Sequence, residues 1–122
     1  MRDYKKIRAH QLSDELVLDI YRITKAFPKD EIYGLVSQMR RSAVSIPCNI
    51  AEGASRQHRK DYLNFLYIAR GSASELEYLL SVACKLGYMS SDQLENISKK
   101  YSDVAKVLFG LIQSVSAESS SR

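Results

Sequence analysis

Residues 59–86, RKDYLNFLYIARGSASELEYLLSVACKL, decide the fold. Tyr62, Leu66, Ala69, Ala73, Leu76, Leu80 and Ala83 recur at alternating spacings of four and three. That repeat places all seven on one face of an α-helix, where apolar side chains bury together. A parallel stripe of Phe65, Ile68, Ser72, Glu75, Leu79, Val82 and Leu86 widens the face. A helix from about Arg59 to Leu86 would span about 42 Å. Gly87 follows as its natural stop, because glycine accepts the left-handed conformation that ends many helices.

Working outward, three more segments carry the same period. From about Ala9 to Ala26 the seam is Leu12, Leu16, Ile20, Ile23 and Phe27. Pro28 stops it, since the residue before a proline is pushed out of the helical region. From about Ile32 to Ser55 the seam is Val36, Met39, Ala43, Ile46, Ile50 and Gly53, with Asp30 as the expected cap and Glu31 in the first turn. Pro47 inside this segment removes one backbone donor and is expected to bend it. After Ser90-Ser91-Asp92, a fourth segment runs to about Val115 through Leu94, Ile97, Tyr101, Val104, Leu108 and Leu111. Its cap is either Ser90 with Gln93 or Ser91 with Leu94. Nothing reads as strand.

The remaining composition agrees. The chain has 122 residues, 45% hydrophobic and 26% charged, with only 5 Gly and 2 Pro. That length suits one domain with a core of its own. So few turn formers exclude a many-stranded sandwich or barrel. No apolar run approaches a membrane span, and the basic start MRDYKKIR lacks the apolar stretch of a secretory signal. Cys48 and Cys84 are distant and unpatterned, so they read as two small buried hydrophobes in a reducing cytoplasm. The fold class is therefore all-α. The expected architecture is an up-down-up-down four-helix bundle over residues 9–116, with helices near 9–26, 32–55, 59–86 and 92–115. A basic arm, 1–8, precedes it, and a flexible tail, 117–122, follows. The broad apolar cover of the third helix predicts a homo-oligomer as its outlet.

The net charge of +4 is unevenly spread. Residues 1–60 hold 12 Lys+Arg against 7 Asp+Glu, whereas residues 61–122 hold 6 against 7. The excess sits in the arm (Arg2, Lys5, Lys6 and Arg8, against Asp3) and in mid-chain (Arg40, Arg41, Arg56, Arg59 and Lys60, against only Glu52). Arg56, His58, Arg59 and Lys60 mark the junction of the second and third helices. Tyr62, Tyr67 and Arg70 lie just beyond. Basic residues interleaved with aromatics suit phosphate contacts and base stacking. The plainer alternative is a solvated helix start, but cations there oppose the helix dipole, which leaves a use for them.

Few residues offer catalytic chemistry. His10 and His58 lack partners at metal-ligand spacing, neither cysteine lies in a nucleophile motif, and no phosphate-binding glycine loop occurs. No cofactor or metal and no enzymatic activity are expected. One polar stripe lies beside the second helix's seam: Gln38, Arg41, Ser45, Asn49 and Glu52. Ser72 and Glu75 interrupt the third helix in the same way. The stripe reads either as a small polar site or as a buried structural network in which Arg41 neutralises Glu52 or Glu75. The network is the simpler reading.

The run QMRRSAVSIPCNIAEG, residues 38–53, together with FLYIARGSASELE, residues 65–77, resembles the four-helix bundle proteins encoded by intervening sequences in bacterial 23S rRNA genes. Phe27-Pro28, Glu31, Tyr33-Gly34-Leu35 and Leu86-Gly87-Tyr88 are similar as well, so the likeness spans roughly residues 4 to 115. The resemblance implies a closed bundle, commonly a ring of five, without known catalysis. A related group of accessory proteins of diversity-generating retroelements is pentameric and basic and acts with nucleic acid, which implies RNA or DNA as a partner here. The polar stripe coincides with the family's motif, and Ser42 stands where the family often has alanine. The resulting expectation is a non-enzymatic homo-oligomer that binds RNA or DNA through its basic surface. The alternative is a protein-interaction scaffold with no nucleic-acid role.

Overall fold

The computed structural model describes residues 2–120. Among these residues there are four α-helices and no strand: α1 (Arg8–Thr24), α2 (Leu35–Ala54), α3 (Arg59–Lys85) and α4 (Ser91–Ser120). Single 3-10 turns, Tyr4–Lys6 and Lys29–Glu31, precede α1 and α2. Each helix packs on its neighbours in sequence, and α1 closes against α4. Neighbours run antiparallel. Arg40 of α2 reaches Thr24 of α1, Ser45 of α2 meets Ser72 of α3, and Lys100 of α4 pairs with Asp19 of α1.

The seams form the core. All six seam residues of α2 and all seven of α3 are buried, as are Leu16, Ile20 and Phe27 at the α1 end. Ile97, Val104, Leu108 and Val115 complete the α4 side, joined by Ile112. Of the second stripe of α3, only Leu79 is buried, and Ile68 and Leu86 are about half exposed. A monomer has only two neighbouring helices to cover α3, so its outer face stays open.

Helix ends explain the differences from the expected boundaries. Glu31, expected in the first turn of α2, lies before it. Its Oε1 accepts from the Leu35 amide at 3.2 Å, and its Oε2 accepts from the Tyr88 hydroxyl at 2.8 Å. A carboxylate there satisfies an orphan amide and opposes the positive end of the dipole. Asp30 is not the cap; it lies within the preceding 3-10 turn. α2 then continues uninterrupted through Pro47. α3 ends in a Schellman motif: the Gly87 amide donates to Cys84 O and the Tyr88 amide to Ala83 O, with Gly87 at φ +82°. α4 is opened by a reciprocal capping box, with Ser90 Oγ accepting from the Gln93 amide and Gln93 Oε1 from the Ser90 amide.

Two expectations, the flexible tail and the buried cysteines, need correction, and the basic arm expected over residues 1–8 packs onto α1 and α2. Asp3 caps its 3-10 turn, Gln11 Nε2 donates to Lys5 O, Tyr4 packs edge-on against His10, and Arg8 already belongs to α1. The tail is helical as far as Ser120, because no glycine or proline interrupts propagation after Val115; residues 121 and 122 lie outside the described residues. Cys48 is exposed and Cys84 only half-buried, since both point off the apolar seams.

Candidate nucleic-acid interface

The corner between α2 and α3 exists because Gly53 lets the two helices meet. A Cβ added there would lie 2.8 Å from Phe65 Cβ and 2.9 Å from Tyr62 Cδ1. Just past this contact α2 ends, with Ser55 Oγ donating to Glu52 O and the Arg56 amide to Gly53 O. Three residues later α3 begins behind His58, whose side chain makes no capping bond. The tight turn gathers Arg56, His58, Arg59 and Lys60 at one end of the bundle.

Two of the corner's guanidinium groups, those of Arg56 and Arg2, are held by aromatic rings. Arg56 Cζ lies 4.8 Å over the Phe65 ring, and its Nη2 is 3.4 Å from Glu52 Oε2. Arg2, from the arm, places its Cζ 4.3 Å over the Tyr62 ring and donates from Nη1 to Arg56 O at 3.0 Å. Arg59 is half-buried, and its Nε is enclosed with no hydrogen-bond partner among the described residues. Arg2, Ser55, Arg56 and Gln57 line an open cleft of about 690 Å³. Burial pushes the Tyr62 phenol up from its ordinary value; Arg2 opposes that shift and Glu118 adds to it.

Other candidate contacts are distributed differently. Lys5 and Lys6 are exposed on the 3-10 turn, which packs on α1 and α2, and Arg8 is exposed at the start of α1. Arg70 stacks 5.0 Å from the exposed Tyr67 ring, about 15 Å along α3 from Lys60, so the structure separates it from the corner. Tyr62 offers no stacking platform, because it is 2% exposed and Arg2 covers its ring. The sequence places Arg2 among the charges of the arm but gives no sign that it meets Arg56, and it gives no signal for Gln57. Arg2 lies 54 positions from Arg56, and no local pattern links them.

The polar stripe splits. Ser45 and Ser72 share a 2.7 Å hydroxyl hydrogen bond across the α2–α3 groove, and Asn49 Nδ2 donates to Ser45 O and Oγ. Gln38, Arg41, Glu52 and Glu75 are exposed. The expected buried Arg41 pair is absent among the described residues, and the ion-pair partner of Glu52 is Arg56, on the surface. Arg40, one position and 100° around the helix, points inward instead. Its Nε donates to buried Thr24 Oγ1 at 2.9 Å, and its guanidinium covers Tyr21. No group of three or more metal-ligating side chains occurs among the described residues. No helix among them is long and apolar enough to cross a membrane.

This architecture defines a class: small, closed, antiparallel four-helix bundles. Within it, the chain belongs to the 23S rRNA-intervening sequence protein family, whose model matches residues 5–110. It is similar to a crystal structure of a protein with unknown function from the S23 ribosomal protein family of Bacteroides thetaiotaomicron VPI-5482. The two are 29% identical, the match covers 86% of this chain and 95% of that one, and the TM-score is 0.80. No curated protein matches the chain. Neither the family nor the neighbour points to a catalytic activity.

Proposed function

We propose that this protein is a non-enzymatic homo-oligomer, a ring of five, that binds RNA or DNA through the α2–α3 corner. The observation that carries the reading is the convergence of Arg2, Arg56, Arg59 and Lys60 at one end of the bundle, two of them pre-stacked on rings. Phosphate contacts from such groups release counterions and supply sequence-independent affinity. A monomer of +4 is only modestly basic, whereas five copies carry about +20, enough to steer a polyanion. Self-association draws on the outer face of α3, where Tyr67, Ile68 and Tyr78 are 43%, 52% and 68% exposed.

The test is a gel shift with single-stranded RNA over a salt series, with light scattering on the same samples. Replacing Arg56, Arg59 and Lys60 with Ala weakens binding and flattens the salt slope by up to about three. Binding unchanged by the triple substitution removes the nucleic-acid reading, and a mass near 13.8 kDa removes the ring. A second reading, a protein-interaction scaffold, draws on the opposite end of the bundle, where Ile32, Tyr33 and Leu86 stand exposed. It requires that RNA show no salt-dependent retention.

A further inference from the structure

We propose that Arg2 and Arg56 form a two-guanidinium clamp for a single phosphate group, built jointly by the amino-terminal arm and the α2–α3 corner. It rests on the nucleic-acid reading for the source of that phosphate. The clamp itself rests on geometry. Both residues line one open cleft, and Arg2 Nη1 donates to the Arg56 backbone carbonyl, which anchors the Arg2 guanidinium beside residue 56. Each guanidinium lies over a ring, so one face is covered while its in-plane N–H groups stay available. A guanidinium has five N–H donors in a planar fork that matches two phosphate oxygens. Arg2 spends one donor on Arg56 O, and Arg56 meets only a long 3.4 Å contact with exposed Glu52. Most donors of the pair are therefore free, and each guanidinium already rests on a ring.

Gln57 adds a side-chain amide to the cleft, whereas the Ser55 hydroxyl proton is already donated to Glu52 O. Two carboxylates border the pair: Glu118, which acts on the Tyr62 phenol beneath Arg2, and Glu52, which an arriving phosphate displaces from Arg56 at little cost because both members of that ion pair are exposed. The arm thus changes role. Its contribution is one positioned guanidinium at Arg2, not the diffuse charge of Lys5, Lys6 and Arg8.

The ligand chemistry is a phosphate with at least two unesterified oxygens, either a backbone diester or a terminal monoester. Inorganic phosphate is titrated into the full chain and the arginine Nε–Hε resonances are followed by NMR. A labelled RNA 12-mer, with and without a 5′-phosphate, is titrated in parallel against wild type, Arg2→Gln and Arg56→Gln. The clamp predicts saturating shifts of the Arg2 and Arg56 resonances together. It also predicts about tenfold weaker RNA binding for each variant, with a double variant little worse than either single one. Equal binding of the two RNAs assigns the clamp to backbone diesters; a preference for the 5′-phosphate assigns it to chain ends. Phosphate shifts that never saturate, or an Arg2→Gln protein that binds RNA like wild type while Arg56→Gln does not, overturn the clamp and leave the nucleic-acid reading intact. Saturating shifts in a protein that retains no RNA keep the clamp and remove that reading.

Discussion

Replacing Gly53 with Ala tests whether the α2–α3 corner is set by backbone proximity. In an isolated helix the change stabilises by about 1 kcal/mol, because glycine is the poorer helix former. Here the new methyl falls 2.8 Å from Phe65 Cβ, 2.9 Å from Tyr62 Cδ1 and 3.2 Å from Tyr62 O. Carbon atoms in contact prefer about 3.5–4.0 Å, so the helices must separate by roughly 0.6–1 Å. Overpacking of this kind costs about 1–3 kcal/mol, and the upper half applies because Phe65 Cβ and Tyr62 O cannot move without the α3 backbone. The net expectation is a loss of about 1–2 kcal/mol. Gly71, also helical, has nothing within 4 Å of an added Cβ, so Gly71→Ala gains about 0.5–1 kcal/mol. Urea unfolding followed by far-UV circular dichroism reads both, with unchanged m values as the control. By thermal melting the loss is a drop of about 4–8 °C, against a rise of a few degrees for Gly71→Ala. A Gly53→Ala protein as stable as Gly71→Ala would refute the close-contact argument.

Three further substitutions have expected outcomes. The Tyr88 hydroxyl donates to Glu31, and that bond is the main cause of its raised pKa. A phenol whose folded pKa is raised lends stability that is complete below about pH 10 and is lost as pH climbs through the folded value. The stability difference between wild type and Tyr88→Phe therefore shrinks above pH 10; a difference constant from pH 8 to 11.5 contradicts this. Arg41→Ala changes stability by less than about 0.5 kcal/mol, since the side chain is exposed and lacks an ion-pair partner among the described residues. Arg40→Ala costs about 1–2 kcal/mol through the lost Thr24 bond and the lost stacking on Tyr21. Chemical denaturation that ranks the two arginines the other way sinks that assignment.

Much of the bundle was legible in the sequence because helix period and burial are coupled locally. The α2 and α3 seams are buried throughout, since a stripe repeating every 3.6 residues can face only one way. Stop signals were also local, as Gly87 shows by ending α3 in the left-handed conformation. The second stripe of α3 was legible too, as apolar cover broader than one bundle buries. Its period is helical, but period does not say whether a neighbouring helix exists to cover it, and Ile68 and Leu86 remain exposed.

By itself, the sequence determined that the chain forms four amphipathic helices, where each seam lies, and that positive charge collects in the first half. Tertiary structure decided which polar and charged groups meet. Arg41 and Glu52 share a stripe on α2, yet Glu52 pairs with Arg56 and Arg41 faces water. Arg2 joins Arg56 across 54 positions because the arm folds back over the corner that Gly53 keeps tight. A helical stripe specifies direction around one axis. Contact between side chains on different elements also depends on crossing distance and on where a flanking segment lands, and those are set by how the helices and the arm pack together.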